Sequence, residues 1–117
     1  MFNFEDFLRS YWKSTQKAMD TQDPHLIKNY FSDDAVYRFR TNEGMLEVNV
    51  DEMIQSTLGY KKIQDSPIEI ERIEKLENGL FLTIVFASVD KKPYFATSFF
   101  KLENEKIKEL VEYYGDC

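Results

Sequence analysis

Hydrophobic residues recur at steps of three and four through the first twenty residues, a spacing that predicts an amphipathic helix over residues 3–20. The residues on its buried face are Phe4, Phe7, Leu8, Tyr11, Thr15, Ala18 and Met19. Asn3 precedes this face and has the chemistry of an N-cap. A second, shorter helix is predicted over residues 24–31, because Pro24 suits a first helical turn, where its missing N–H needs no partner. Residues 32–34 are expected to break it.

A third helix is predicted over residues 50–58. Asn49 and Glu52 have the spacing of a capping box just ahead of an apolar stretch. Gly59 is expected to end this helix, because glycine adopts the left-handed conformation common at helix C-termini.

Strict alternation of apolar and polar residues predicts a strand over residues 35–40, with Tyr37 and Phe39 on one side. Residues 45–48 are predicted to form a short edge strand. From residue 67 onward the pattern is that of strands, with a bulge expected near 71–73. Turns are predicted at Asn78-Gly79, 90–93 and 104–105. They separate strands over residues 80–89, 94–102 and 106–114.

These elements predict one α+β domain over residues 1–117, with three helices packed on a strongly curved antiparallel sheet that can enclose a pocket. Helices can cover only one face of such a sheet. The apolar residues on its other face need a second cover, and a second copy of the chain is the simplest one. We therefore expect a homodimer formed through the sheet face.

Composition narrows the classes of partner. The chain has 117 residues, of which 43% are apolar, 31% charged and 15% aromatic, and this aromatic share indicates either a thick core or a lined cavity. A net charge of -6 argues against nucleic acid as a partner. No apolar stretch is long enough for a membrane span, and the acidic N-terminus argues against a signal peptide. The single cysteine, Cys117, cannot form an internal disulfide, so we expect a cytoplasmic protein.

Three strings carry a resemblance to a known family: NFEDFLRSYW (3–12), YFSDDAVYRF (30–39) and TSFFKLENEKIKELVEYYGD (97–116). Together with the order of elements, they resemble the SnoaL-like branch of the nuclear transport factor 2-like superfamily over essentially the whole chain. The resemblance implies a conical half-barrel whose open mouth holds a small apolar ligand, usually in a homodimer. This fold hosts isomerases, cyclases, dehydratases, transport factors and binding domains, so the resemblance leaves the function open.

The best-known chemistry of that superfamily is the ketosteroid isomerase type, which uses an Asp base, a Tyr and a protonated Asp. The resemblance places these positions at Phe39, at Thr15 with Tyr11 one turn earlier, and at about Ser98. None of the three groups is present, which argues against this chemistry in that geometry. Other enzymes of the fold use a His-Asp pair, but the lone histidine, His25, is predicted to lie exposed in a surface helix.

One carboxylate, that of Glu112, leaves an enzymatic function possible. Leu110, Glu112 and Tyr114 share one side of the last strand, and the resemblance implies that this side faces the cavity. A carboxylate in an aromatic-lined, poorly solvated space is suited to act as a general base. The alternative is that Glu112 merely hydrogen-bonds or pairs with Arg38 or Arg40, and we favour it because buried carboxylates are mostly paired.

Aromatic residues form a second candidate set, which is either core or pocket lining: Tyr11, Trp12, Tyr37, Phe39, Tyr94, Phe100 and Tyr114. Tyrosine hydroxyls prefer polar partners, and apolar clefts with a few polar groups are typical of ligand sites. The predicted ligand-binding residues are Tyr11, Thr15, Tyr37, Phe39, Ser98, Glu112 and Tyr114.

No metal or cofactor is expected, because the adjacent acidic pairs 33–34 and 51–52 diverge in a strand or helix, and no HxxxH, CxxC or glycine-rich phosphate loop occurs. Three hypotheses follow. The preferred one is a domain that binds a small apolar or aromatic molecule. The second is an isomerase, cyclase or dehydratase with Glu112 as base and Tyr11 or Tyr114 as hydrogen-bond donor. The third is a protein-interaction module with a filled cone.

Overall fold

The protein is described by a computed structural model that covers residues 2–116, so Cys117 lies outside the described residues. The helices are α1 (Phe4–Thr21), α2 (His25–Lys28) and α3 (Val50–Tyr60). The strands are β1 (Phe31–Thr41), β2 (Gly44–Val48), β3 (Glu69–Glu77), β4 (Leu80–Val89), β5 (Lys92–Glu103) and β6 (Lys106–Asp116). The predicted order of elements is confirmed.

Side-chain caps start the two long helices. The Asn3 side chain accepts a hydrogen bond from the Asp6 backbone N–H at 3.1 Å. At α3, Asn49 and Glu52 form the predicted reciprocal pair, with 2.8 Å from the Glu52 N–H to Asn49 Oδ1 and 2.9 Å from Asn49 Nδ2 to Glu52 Oε1. The predicted stop at Gly59 is wrong. The capping residue Lys61 keeps a right-handed helical conformation, so this end needs no glycine.

The second helix is shorter than predicted and the first strand is longer. Helix α2 ends at Lys28 and β1 already begins at Phe31, so residues 32–34 are strand and not a break. The reason is long-range pairing: Phe31 lies opposite Ile107 of β6, and the Ile107 N–H donates to the Tyr30 carbonyl at 2.8 Å. Local sequence patterns carry no information about such a partner.

The six strands form one sheet in the order β2-β1-β6-β5-β4-β3. All neighbours are antiparallel except β1 and β6, which run parallel. The chain's last strand is thus inserted beside its first, in the middle of the sheet. The α+β architecture is confirmed, with one parallel pair that the sequence did not indicate.

Irregularities in the strand pairing accompany the curvature of the sheet. The predicted bulge near residues 71–73 is confirmed by a register shift between Ile70 and Arg72, and a second shift follows in the same strand. Further shifts occur in the β1–β6 and β5–β6 pairs. Bulges bend a strand and increase its twist, so they let this sheet curl around the helices.

The helices lie on the inner side of the curled sheet, and α1 packs aromatic side chains against it. Phe100 is fully buried, with its ring centroid 5.4 Å from that of Tyr11 and 6.3 Å from that of Trp12. The Trp12 indole N–H donates to the buried hydroxyl of Thr83 at 3.0 Å, which ties α1 to β4. None of the helices within residues 2–116 is long and apolar enough to cross a membrane.

No helix of the described residues 2–116 covers the outer face of the sheet, which carries a band of partly exposed apolar side chains. By strand alternation this band, called here the outer patch, consists of Leu82, Ile84, Phe95, Phe99, Val111 and Tyr113. Phe99 and Tyr113 contact each other edge to face at 5.9 Å, and 42% of Tyr113 is exposed. We propose that a second copy of the chain covers the outer patch, because apolar bands of this kind favour association.

This predicted homodimer can be tested by sedimentation velocity. Phe99→Lys places a charge in the centre of the outer patch and is expected to convert dimers into monomers without unfolding the chain. The control is Gln55→Lys, which adds the same charge at an exposed position on α3. A wild-type protein that sediments as a monomer at all concentrations contradicts the proposal.

Candidate functional site

A cavity of about 400 Å³ lies between α1, α3 and the inner face of the sheet and is partly open to solvent. Its wall is mainly apolar, with eight aromatic residues: Tyr11, Trp12, Tyr37, Phe39, Tyr60, Phe86, Tyr94 and Tyr114. Ligand pockets typically have volumes of roughly 300–1,000 Å³ with apolar walls and a few polar groups. This cavity therefore has the size and the lining of a small-molecule site.

Small residues keep the sheet side of the cavity open. Ala87 and Ala96 line this side, and Ala96 is itself buried. On the helix side, Met19 and Met53 contribute flexible, polarizable side chains.

Glu112 is the polar centre of the wall. It is only 5% exposed, and both of its carboxylate oxygens accept hydrogen bonds from hydroxyl groups. Oε1 accepts from Tyr37 at 2.8 Å and from Tyr114 at 2.6 Å, and Oε2 accepts from Ser98 at 2.6 Å. The two tyrosine hydroxyls are 2.7 Å apart. These four residues are called here the Glu112 cluster.

The Glu112 cluster contains no positive charge. Within residues 2–116, no Lys, Arg or His lies at ion-pair distance from Glu112. Arg38 points to the outer side, where it pairs with Glu47 at 3.0 Å and Glu109 at 3.3 Å. The favoured alternative, that Glu112 merely hydrogen-bonds or pairs with Arg38 or Arg40, is thus right about hydrogen bonding and wrong about the arginines. Neutral hydroxyls alone stabilise the buried carboxylate.

The tyrosines near Glu112 are held in their neutral form. Burial raises the pKa of Tyr37 far above its ordinary value, and the charge of Glu112 raises it further. The same two causes, in the same order, raise the pKa of Tyr11 and of Tyr114. Although 45% of Tyr114 is exposed at the cavity mouth, its hydroxyl lies inside the cluster. These phenols thus remain hydrogen-bond donors at neutral pH.

The structure brings most of the predicted site residues together. Six of the seven line the cavity: Tyr11, Thr15, Tyr37, Phe39, Glu112 and Tyr114. Ser98 lies behind the wall and reaches the site only through its bond to Glu112. The Thr15 hydroxyl donates to the Tyr11 carbonyl at 2.8 Å.

The wider aromatic set divides between wall and core. Trp12 and Tyr94 line the cavity with the predicted residues, whereas Phe100 belongs to the core. His25 is exposed, as predicted.

Sequence reasoning missed the wall contributed by α3 and the segment after it. The residues concerned are Met53, Ser56, Thr57, Tyr60 and Gln64. Their helix was predicted, but the periodicity of one amphipathic helix does not show whether its apolar face meets a packed core or a cavity. No group of three or more His, Cys, Asp or Glu side chains in the described part of the chain is arranged to hold a metal ion.

Gln64 is the second buried polar residue of the wall, with 8% of its surface exposed. Its Nε2 donates to Gln16 Oε1 at 3.1 Å and to the Ser66 carbonyl at 2.5 Å. Gln16 Oε1 also accepts from the Ile68 backbone N–H at 3.0 Å, which identifies that atom as the oxygen. The orientation of the Gln64 amide follows, because its nitrogen must face these two acceptors.

Comparison with solved structures identifies the fold. A nuclear transport factor 2-like protein of unknown function from Burkholderia xenovorans LB400 matches 97% of this chain and 86% of its own length, with a TM-score of 0.71 and 18% identity. A second one, from Cytophaga hutchinsonii, matches 98% and 92%, with a TM-score of 0.69 and 14% identity.

A named enzyme has the same architecture. SalBIII, an epoxide hydrolase/cyclase-like enzyme of pyran ring formation in the polyether salinomycin, matches 95% of this chain and 89% of its own length, with a TM-score of 0.71 and 14% identity. No protein-family model matches the sequence, and a comparison with curated proteins finds no match. The chain thus has the nuclear transport factor 2-like fold, and the resemblance seen in the sequence is confirmed at the level of the fold.

The raised tyrosine pKa values predict a loss of stability in alkali. The unfolded chain releases its phenolic protons near the ordinary pKa of 10.0, whereas folded Tyr11 and Tyr37 retain them. Their contribution is therefore fully present below pH 10 and declines above it, by about 1.4 kcal/mol per pH unit for each buried tyrosine. Urea unfolding between about pH 8 and about pH 11 measures this slope.

Two variants separate this effect from general alkaline unfolding. Tyr37→Phe is expected to show a shallower decline than the wild type, because one buried phenol is gone. Tyr113→Phe removes an exposed phenol from the outer patch and should leave the slope unchanged. An absorbance titration in which all seven tyrosines of the folded protein ionise near pH 10 would refute the prediction.

Proposed function

We propose that this protein binds one small, mainly apolar molecule in the cavity, with a polar group of that molecule directed at the Glu112 cluster. The observation that carries the proposal is a buried carboxylate in the wall of an aromatic cavity with no cation beside it in the described structure. Maintaining a hollow and a buried charge both cost stability, so neither is expected in a merely structural core.

The cavity also weakens the interaction-module hypothesis. That hypothesis assumed a cone filled by its own side chains, whereas a volume of about 400 Å³ remains open. Phe39 does not fill the cavity: its ring stacks on that of Tyr37 with 5.7 Å between the centroids and forms part of the wall.

Titration with 2-naphthol, followed by its own fluorescence, tests the proposal. The two fused rings match the aromatic wall, and the hydroxyl can donate to the Glu112 cluster. Saturable binding at one site per chain is expected. Ala96→Phe should weaken it about tenfold or more, because the added ring occupies the cavity.

The matched control is Thr97→Phe, which places the same phenyl ring at the next residue of β5, on the outer face. It should bind 2-naphthol like the wild type. The proposal is wrong for molecules of this size if the wild type shows no binding, or if Ala96→Phe, once shown to be folded, binds unchanged.

A second candidate function is proton abstraction from the bound molecule, and the lack of a counter-ion favours it. A salt-bridged carboxylate is a poor base, whereas Glu112 is held only by neutral hydroxyls. In this scheme the proton passes from a ligand C–H to Glu112. The Tyr11 phenol, or that of Tyr114, donates to the oxygen on which negative charge develops.

Deuterium exchange tests this candidate without a known substrate. 2-Tetralone combines a fused ring with acidic C–H groups beside a carbonyl, and proton NMR in D₂O follows their loss. The wild type is expected to accelerate exchange, and Glu112→Gln should remove about a hundredfold or more of that acceleration. Glu109→Gln removes a carboxylate from the outer side of the same strand and serves as control. Equal rates with Glu112→Gln and wild type would exclude Glu112 as the base.

A further inference from the structure

The charged side chains that line the cavity all have the same sign. The two charged residues of its wall are both acidic, Glu52 and Glu112. No Lys, Arg or His occurs among the wall residues that lie within 2–116. An anionic ligand would therefore meet repulsion on both sides and no compensating cation.

Gln64 adds a neutral acceptor to the same wall. Both N–H groups of its amide are used by Gln16 and the Ser66 carbonyl, so only its oxygen is left for other partners. The structure gives that oxygen no partner, and no fully buried side-chain nitrogen or oxygen among the described residues lacks one. The Gln64 oxygen is therefore accessible to solvent, and Gln64 itself lines the cavity.

Several hydroxyl donors of the wall are used within the protein. Thr15 and Thr57 donate to carbonyls of their own helices at 2.8 and 3.0 Å. Tyr37 and Tyr114 lie at donor distance from Glu112. A carboxylate has about four acceptor positions, and the hydroxyls of the cluster occupy three of them. The carboxylate of Glu112 and the amide oxygen of Gln64 thus remain as acceptors for a donor group of the ligand.

The aromatic wall favours the same kind of ligand. Tyr94 stacks on Tyr114 at 5.9 Å and lies 6.0 Å from Tyr60. Tyr37 and Phe39 form a second stacked pair. The faces of aromatic rings carry negative charge density and attract cations, most strongly where water is excluded.

Hydrogen-bond acceptors, two carboxylates and the faces of aromatic rings line the same cavity, and each of these groups favours a cation. We therefore infer that the ligand is an apolar amine carrying a positive charge. Its ammonium group is the missing counter-ion of Glu112, and its apolar body occupies the aromatic cavity. This inference rests on the proposed function, since it names the class of molecule that the cavity binds. It also accounts for the neutral surroundings of Glu112, because a resident Lys or Arg would compete with the ligand.

A trio of ligands with the same ring system tests it on the wild-type protein. 2-Naphthylmethylamine is a cation at neutral pH, 2-naphthylmethanol is neutral and 2-naphthoate is an anion. Isothermal titration at pH 7 should give an affinity for the amine about tenfold or more above that for the alcohol, with the carboxylate weakest.

The outcomes separate the inference from the proposed function. If the alcohol binds as tightly as the amine, or the carboxylate binds best, the inference is overturned while the proposed function stands. If none of the three binds, both are overturned for ligands of this size.

The variant Glu112→Gln tests whether Glu112 causes the preference for the amine over the alcohol. It keeps the shape of the side chain and removes its charge, so it should weaken amine binding about tenfold and leave the alcohol within about twofold. Glu109→Gln, an equal change of charge outside the cavity, should leave all three affinities unchanged. An undiminished preference for the amine in folded Glu112→Gln would overturn the assignment to Glu112. The wild-type trio decides the ligand class even if that variant does not fold.

Discussion

The site depends on the solvation of one buried carboxylate by three hydroxyl groups. Removing a carboxylate from water costs on the order of several kcal/mol, and the cost is tolerable only if hydrogen bonds replace the lost water. The register of the sheet supplies them. Ser98 lies directly opposite Glu112 on β5, and Tyr114 follows two residues later on the same side of β6. Tyr37 comes from β1, on the other side of β6.

The position of β6 in the middle of the sheet makes this solvation possible. An edge strand has a neighbour on one side only, whereas β6 receives hydroxyl groups from strands on both sides. The parallel pairing of β1 with β6 sets Phe39 opposite Glu112 and places Tyr37 one inward position away. The hydrogen bonds of Glu112 therefore depend on the register of β6 in the sheet. A shift of that register by one residue would turn Glu112 to the outer face.

Much of the fold could be predicted from the sequence, because its signals are local. The Asn3 and Asn49 caps and the alternation over residues 35–40 depend on residues close together in the chain. The errors occurred where the decisive partner is distant. The strand β1 already begins at Phe31 because that residue pairs with Ile107 of β6, and nothing in the local string shows that partner.

The sequence predicted most of the residues that form the site, but not the hydrogen bonds that they make. Alternation placed Tyr37 on one side of its strand and Glu112 with Tyr114 on one side of the last strand, and the family resemblance implied that the side with Glu112 faces the cavity. Whether Glu112 meets hydroxyls or an arginine is decided by strand register, since Arg38 is one residue from Tyr37 and faces the opposite side. The role of Gln64 depends on the orientation of an amide, which no sequence pattern encodes.

The parallel β1–β6 pair has a consequence for how the protein acquires its site. Tyr37 and Glu112 are 75 residues apart in the chain, and the crossover between them includes α3 and four further strands. Contacts of such long sequence separation form late, because the entropy of closing a large loop must first be overcome. A chain whose last strand is not yet in place therefore has no Glu112 cluster. A molecule that bound the completed cavity would favour the complete fold over every partly folded state.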